Sequence, residues 1–411
     1  GCLNSVIPAL PYQISPYLRP IRNAGIFYVD DAISGARTAL NDIQEQVVRA
    51  LWQPVQAPAR LRRLLQTHGQ PAIHEAISAL LRQHILFDSL ESCERHTDSV
   101  LTLNRPSPPF IDQIELTNLC PMHCAFCPRG IPGQMKRPTG MMDINLYRRL
   151  LDQMHPKQAI YRPLELHHLG ESLLHPHIEW FVKEASHRGL PTEISVNPSL
   201  LLPALMKKLL DAGLSRIVLS LDAMDDELSL NIRGPASAYS LAERNIKTLL
   251  DHADTLSTPP RIVLQMLNLS KNRHQHALFL ERYARLGLPY AEAYIKTLDG
   301  PDPYDSASLP SQTPLRYCCT YPFRSVVVLW DGRVVPCCRD DDAKFVLGNL
   351  NTHTLQEIWE GEQAEHLRQK HLNKQYKSGH LCEGCGWRRD IYAAAMSERH
   401  PDTAQGEPLA W

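Results

Sequence analysis

Eleven cysteines carry most of the chemistry available to this 411-residue chain. Nine of them fall in three tight groups: Cys120, Cys124 and Cys127; the doublets Cys318-Cys319 and Cys337-Cys338; and Cys382 with Cys385. Small secreted domains use cysteine for disulfides, but a chain long enough to bury its own core rarely needs them. Grouped thiolates are what a metal ion or an iron–sulfur cluster requires. The first group has the spacing C-x3-C-x2-C. Three thiolates on one loop can hold three irons of a cubane and leave the fourth open; a structural zinc loop and unliganded thiols are the other readings. Zinc normally takes four closed ligands, and His123 cannot easily point the same way as its neighbour Cys124. The later groups offer four or more thiolates from a hairpin and a distant C-x2-C, enough to close one metal site, either a cluster or a zinc ribbon.

The elements that must position these groups alternate in type. Strand-like runs cover residues 110–116, 164–169, 193–196, 216–221, 262–267 and 291–295, with helical patterns between them, for instance at 145–154, 178–188, 202–212 and 241–252. A βα rhythm repeated about six times predicts a parallel sheet or an open barrel. In such barrels the chemistry sits at the C-terminal ends of the strands, and the first cysteine group follows the first strand directly. Gly300-Pro301-Asp302-Pro303 breaks the pattern. Asp331-Gly332 between the β-rich runs 325–330 and 333–336 is a hairpin signal, and a helix follows over 354–370.

The first loop, with further motifs in order behind it, resembles the radical S-adenosylmethionine (SAM) superfamily over residues 110–300. The resemblance implies a [4Fe–4S] cluster on Cys120, Cys124 and Cys127 whose open iron chelates the amino and carboxylate groups of SAM. An electron from the cluster then splits the sulfonium to a 5′-deoxyadenosyl radical, the protein supplying binding and orientation. Phe126 matches the family's aromatic position near the adenine. Residues 167–176, His-His-Leu-Gly-Glu-Ser-Leu-Leu-His-Pro, resemble the Gly-Gly-Glu-Pro segment beside the SAM amino group. Leu169 and Ser172 depart from that pattern, so the resemblance carries over Gly170 and Glu171 alone. Ser195 and Asn197 resemble the polar pair on the ribose. Ser220, Asp222 and Arg233 match further cofactor positions, with Arg233 facing the SAM carboxylate in a charge-assisted pairing. Met266, in Gln265-Met266, resembles the adenine-side segment. Each of these, taken singly, also reads as an ordinary polar residue at a strand end.

Residues 318–385 resemble the SPASM/twitch extension of radical SAM enzymes. No cysteine follows Cys385, which fits the shorter twitch form with one auxiliary [4Fe–4S] cluster on Cys319, Cys337, Cys382 and Cys385. Cys318 and Cys338 remain as substitutes or free thiols. An auxiliary cluster closed by four cysteines suits electron transfer or bracing of the fold, and a spare thiol such as Cys338 could return hydrogen to a substrate radical. For acid–base work the candidates are Glu292, Tyr294 and Lys296, which alternate on one side of the sixth strand. A lysine snorkelling outward is the plainer reading of that strand, and a satisfied structural role is the plainer reading of His167 and His168.

The first quarter of the chain reads as one more unit. A strand over 25–30, a turn at Asp30-Asp31, a second extended piece to Leu40 and helices over 42–51, 59–67 and 72–86 suggest a winged-helix-like module. Asn41 and Gln44 have capping-box spacing. Arg105-Pro106-Ser107-Pro108-Pro109 is a stiff linker. The module resembles the peptide-chaperone fold of pyrroloquinoline-quinone biosynthesis, the RiPP recognition element, which implies that a leader peptide adds a strand to the sheet edge. A plain helical cap and a DNA-binding winged helix are the other readings. The expected fold is therefore α/β: a partial (β/α)6 TIM-type barrel over 105–305, an N-terminal winged-helix-like domain over 1–104, and a small twitch/SPASM domain with its tail over 306–411.

Composition bounds the partners. Lys plus Arg is 43 and Asp plus Glu 44, a net charge of −1, which lacks the basic excess of a general nucleic-acid binder. No apolar run approaches the roughly 18 residues of a membrane span. No signal peptide is apparent, Gly1-Cys2 reads as an ordinary terminus rather than a processed lipoprotein start, and grouped thiols imply a reducing cytoplasm. The expected enzyme reductively cleaves SAM and takes hydrogen from an unactivated C–H bond. Its expected substrate is a ribosomal precursor peptide, to be crosslinked, epimerised or oxidised, with a flavodoxin- or ferredoxin-type electron donor. An aminocyclitol or sugar dehydrogenase or epimerase is the alternative, and a non-catalytic iron–sulfur or zinc protein a distant one.

Overall fold

A computed structural model describes residues 12–23, 25–52, 57–298, 302–305, 318–375, 381–383, 385 and 407–408. The Gly1-Cys2 terminus, Gly300-Pro301 and most of the C-terminal tail lie outside these residues. Among the described residues no helix is long and apolar enough to cross a membrane.

The first unit contains the strands β1 (Gln13–Ile14), β2 (Leu18–Asn23), β3 (Ile26–Asp31) and β4 (Arg37–Leu40), then the helices α1 (Asp42–Trp52), α2 (Ala57–His68) and α3 (Gln70–Arg82), the strand β5 (Leu86–Phe87) and the helix α4 (Leu90–Leu103). β2, β3 and β4 form an antiparallel meander. Asn41 and Gln44 exchange backbone-to-side-chain hydrogen bonds of 2.9 Å at the start of α1, the reciprocal arrangement that satisfies two orphan N–H groups. Phe27, Val29, Val47, Val48, Leu61 and Leu80 form a core of this unit alone. Two elements depart from the sequence reading. β2 is a strand despite Pro20, and α4 is a helix of 14 residues that buries Cys93, Thr97 and Leu101 at helical spacing. The expected helix over 72–86 stops at Arg82, because His84 turns to φ +54°.

The barrel follows: β6 (Phe110–Ile114), α5 (Ile144–Leu151), α6 (Gln158–Tyr161), β7 (Leu164–Glu165), α7 (Ile178–His187), β8 (Thr192–Val196), α8 (Pro203–Asp211), β9 (Arg216–Ser220), α9 (Asp226–Arg233), α10 (Tyr239–Ala253), β10 (Arg261–Asn268), α11 (His276–Tyr283) and β11 (Ala291–Thr297). Adjacent strands from β6 to β11 are all parallel. The helices start on side-chain caps where the chain turns. Asp143 accepts from the backbone N–H of Asn145 and Leu146 at 2.8 and 3.1 Å, and Asp225 accepts from Leu228 at 2.7 Å, each offsetting an orphan donor worth roughly 1 kcal/mol. Ile114, Leu164, Ile194, Leu219, Leu264 and Met266 bury one sheet face against the helices.

The C-terminal part comprises α12 (Tyr321–Arg324), β12 (Ser325–Val328), β13 (Arg333–Val335), β14 (Gly348–Asn349), α13 (Leu355–Glu360), α14 (Glu362–Leu372) and β15 (Glu407–Pro408). β12 pairs in parallel with β6, and β13 and β14 follow antiparallel, so one nine-stranded sheet runs from β11 to β14. The hairpin turns at Gly332, φ +87°. The single helix expected over 354–370 is two, because Gly361 is extended at ψ 166° and a Cβ there would lie 2.9 Å from the Glu357 carbonyl oxygen. β15 pairs antiparallel with β2. The linker is held down: Trp359 Nε1 donates to the Pro106 carbonyl at 2.6 Å, and Ser107 Oγ to Glu360 at 2.6 Å.

Candidate functional site

β6 leads through Leu116 into the cysteine loop. Thr117 Oγ1 donates to the Gly140 carbonyl at 2.7 Å, and Asn118 bridges Pro138 and Gly140 with two bonds of 2.9 Å. The Cys127 N–H bonds the Cys124 carbonyl at 3.1 Å, and the Gly130 N–H the Cys127 carbonyl at 2.8 Å. A Cβ on Gly130 would lie 2.1 Å from the Cys124 carbonyl oxygen; only glycine permits this fold-back. Burial pushes the Cys120 thiol up to about 11, with Glu171 and the thiols of Cys124 and Cys127 adding to the rise. Burial raises the Cys124 thiol as well, and a cationic centre would bind such sulfurs as thiolates. Among the described residues, the one set of three His, Cys, Asp or Glu ligand atoms within 4.8 Å of one another is Glu165, His167 and Glu193.

The other expected cofactor residues gather around this loop. Gly170 has φ +102°, and a Cβ there would lie 2.5 Å from the Thr117 carbonyl oxygen and 2.7 Å from Asn118 Cα. Gly170→Ala should therefore shift the cysteine loop and cost about 1–3 kcal/mol in backbone strain, read as lower thermal stability and as iron lost from the first centre; unchanged values would contradict this packing. Glu171 is buried, and its two oxygens accept the N–H groups of Leu173 at 3.2 Å and Asn197 at 2.9 Å. Burial outweighs these donors and raises the carboxyl to about 7. Arg233 pairs with Asp222, stands 4.0 Å from Cys124 Sγ through Nη1, and lies 5.7 Å above the Phe126 ring. Its Nε is buried without a partner. The main chain next to it is fixed by the His123 N–H on the Arg233 carbonyl at 2.8 Å.

Ser195 and Ser220 lie on the sheet face opposite the helix-covered one, and Gln265 Nε2 donates to Ser220 Oγ at 3.1 Å. The Asn197 side chain is committed internally, to Ser199 at 2.9 and 2.7 Å and to Ser237 at 2.9 Å; it braces the loop. Met266 requires a correction: it is fully buried among the helix-facing core residues. Strand alternation gives the inner position to its neighbour Gln265. Tyr304, which sequence reasoning missed, is close enough for Cys124, Asp222 and Arg233 to act on its phenol electrostatically. No motif marks it.

Glu292, Tyr294 and Lys296 occupy the inner face of β11, opposite the core-packed Ala291, Ala293 and Ile295. Glu292 is engaged by Arg261 at 3.1 Å, and Tyr294 OH donates to Gln265 at 3.4 Å. Deeper in the barrel, Glu193 pairs with Arg216 at 2.8 Å and Glu165 with Arg162. His167 Nε2 is 3.5 Å from Glu165 and is kept neutral by burial. Glu165, His167 and Glu193 are close enough to ligate one ion, but two guanidinium groups already neutralise the carboxylates, which disfavours a dication there. Burial, and the repulsion of Glu165, raise Glu193 to about 7. The folded protein thus holds a proton there that the unfolded chain releases near the ordinary glutamate value of about 4.3. The associated stability is complete below that value and is lost as pH rises through 7. Glu193→Gln should flatten stability across this window; an unchanged pH slope would contradict it.

At the far end of the same sheet, Cys319, Cys337, Cys382 and Cys385 line one cavity with Tyr321 and Phe345 among its apolar walls. Neither partner of the doublets lines it. Cys318 is fully buried against Tyr17, Leu101 and Phe323. Cys338 packs on Val327, Leu329 and Val335, its thiol pushed up to about 12 by burial with Asp112 and Glu165 nearby. A contact without any local signal joins the two cysteine regions. Arg137 and Glu115 form a buried, two-pronged ion pair. Arg137 Nε donates to the Asp341 carbonyl at 2.6 Å, Asp342 Oδ1 accepts the N–H groups of Lys136 and Arg137 at 2.5 and 2.9 Å, and Trp330 Nε1 donates to the Pro138 carbonyl at 3.3 Å.

Comparison with known proteins agrees with this geometry. Residues 114–260 match the model of the radical SAM superfamily, and residues 318–386 that of SPASM, an iron–sulfur cluster-binding domain. The S-adenosyl-L-methionine-dependent 2-deoxy-scyllo-inosamine dehydrogenase of Niallia circulans is 22% identical over 281 residues, covering 66% of this chain and 91% of its own. The PqqA peptide cyclase of Granulibacter bethesdensis is 29% identical over 134 residues, 32% of this chain and 34% of its own. SuiB of Streptococcus suis bound to S-adenosylmethionine superposes with a TM-score of 0.47 at 12% identity, covering 92% of this chain and 94% of that one. The chain is a radical SAM enzyme with a SPASM domain, and these domains imply a SAM-binding [4Fe–4S] cluster and auxiliary iron–sulfur ligation.

Proposed function

We propose that this enzyme modifies a ribosomally made precursor peptide, and that its N-terminal unit is a winged-helix-like peptide-recognition domain. The observation that carries this reading is a sheet edge. β4 is hydrogen-bonded to β3 on one side, and no described strand pairs with its other side. A free edge in a small sheet backed by three helices accepts an extended peptide by strand addition. The cyclitol dehydrogenase is matched over nearly all its length by two thirds of this chain, which leaves room in this chain for a further unit such as a peptide-recognition domain. The relative that cyclises a peptide adds support.

In this reading Cys120, Cys124 and Cys127 hold the SAM-binding cluster. Phe126, Gly170, Glu171, Ser195, Asp222 and Arg233 surround the cofactor, the orphaned Arg233 Nε being completed by an anionic oxygen. SAM bound there would supply a reducible sulfonium and, from it, the means of taking hydrogen from an unactivated C–H bond. Cys319, Cys337, Cys382 and Cys385 hold one auxiliary cluster, and a flavodoxin- or ferredoxin-type protein of the cytoplasm delivers electrons. The chain's own residues bind and orient. Cys385→Ala should remove about four irons per chain, whereas Cys318→Ala and Cys338→Ala should remove none; iron loss in either of the latter would reassign the ligands.

The substrate reading is tested with a fluorescent leader peptide encoded beside the gene. Micromolar binding to the whole chain, lost on deleting residues 1–104, is the expected result. No binding, together with 5′-deoxyadenosine formation stimulated by 2-deoxy-scyllo-inosamine, would replace the peptide with an aminocyclitol.

A further inference from the structure

The inner face of the barrel sheet is charged, and almost all of that charge is internally matched. Gln113, Glu165, Glu193, Arg216 and Arg261 stand side by side in register across β6 to β10. Glu165 is held by Arg162, Glu193 by Arg216, and Glu292 by Arg261; toward the cysteine loop Asp222 is held by Arg233 and Glu115 by Arg137. Each of these carboxylates has its guanidinium.

Lys296 is different. It lies on the inner face near the end of β11, is exposed, and among the described residues forms no ion pair. Strand alternation sets its side chain on the same face of β11 as Tyr294, whose OH reaches Gln265 on the inner face at 3.4 Å, and so on the side of the lumen. Glu292, on the same strand face, is already held by Arg261 at 3.1 Å. Among the described residues, this face therefore presents at Lys296 a cation with no carboxylate partner, two residues along the strand from the Tyr294 phenol.

We propose that Lys296 anchors the substrate by pairing with a carboxylate of the peptide, an Asp or Glu side chain or a terminal carboxylate close to the residue being modified. The proposal rests on the peptide reading above and names the chemistry that reading leaves open. An aliphatic group would leave the ammonium unpaired, and a second cation would be repelled; a carboxylate gains a charge-assisted bond in a partly enclosed space.

The test uses the whole chain with its clusters reconstituted and SAM bound. The probes are N-acetylglutamate N-methylamide and its glutamine counterpart, followed by saturation-transfer NMR. The glutamate probe should bind, the glutamine probe should bind about tenfold more weakly, and 0.5 M salt should weaken only the former. Lys296→Gln should remove the preference and Lys296→Arg should keep it, while SAM affinity and the SAM-induced change in the cluster spectrum stay at wild-type values in both. Equal binding of the two probes, binding of neither, or a preference that survives Lys296→Gln would overturn the assignment. So would a loss of SAM affinity in Lys296→Gln, which would give Lys296 to the SAM carboxylate instead. A cluster spectrum indifferent to SAM in the wild type would overturn the radical SAM reading itself, a result distinct from all of these.

Discussion

Cys124→Ala is expected to abolish 5′-deoxyadenosine formation from SAM and dithionite, while about half of some eight irons per chain remains. Cys124 is the buried member of the loop, it stands 4.0 Å from Arg233, and its carbonyl organises the turn through Cys127. Removing its sulfur would withdraw one of the three proposed ligands and a neighbour of the buried Arg233 guanidinium, which keeps its ion pair with Asp222. The second cavity lies at the opposite end of β12 and β13 and draws on none of these residues, so its iron should stay. The measurements are product chromatography and iron analysis of anaerobic protein. Residual SAM cleavage, or loss of all iron, would contradict the separation of the two centres.

Arg137→Leu is expected to destabilise the protein by about 3–5 kcal/mol, because it strands the Glu115 carboxylate in the interior. The side chains of Arg137 and Glu115 are 1% and 0% exposed, so water cannot replace the lost partner. The same change removes the bond from Arg137 Nε to the Asp341 carbonyl, which should loosen the first cysteine loop. The double substitution Arg137→Leu/Glu115→Leu should recover much of the loss, since two apolar groups leave no buried charge. Denaturation of the cluster-free chain reads the first effect, and iron retention of the reconstituted chain the second. A single variant as stable as wild type, or a double variant no better than the single one, would show that the pair is not the clamp the geometry implies.

What the sequence made legible was local. Cysteine spacing within a loop, alternation along the six barrel strands and Asp-Gly at a hairpin are determined within a few residues, and the fold keeps them. The doublets were not legible, because adjacent cysteines have identical spacing to everything distant; only packing separates Cys318, buried against Tyr17 and Phe323, from Cys319 in the cavity. The choice between Gln265 and Met266 turns on one residue of strand phase, which flips the face. α4 was missed because Ser, Thr, Glu and Asp dilute its apolar stripe, and β2 because Pro20 argues against a paired strand. The clamp of Glu115, Arg137 and Asp341 joins residues up to about 200 positions apart, and Lys296 gains its meaning only from five ion pairs on other strands. Contacts of that range leave no pattern in a window of sequence.

The central claim is that the loop after β6 leaves one iron of its cluster open to the amino and carboxylate groups of SAM. Its most direct measurement is electron–nuclear double resonance on the reduced, oxygen-free enzyme in which only the first cluster remains, as in Cys385→Ala, with SAM labelled at the amino nitrogen and the carboxylate oxygen. The account predicts a changed electron paramagnetic resonance signal on adding SAM and hyperfine coupling to both labels. An unchanged signal without coupling would contradict it.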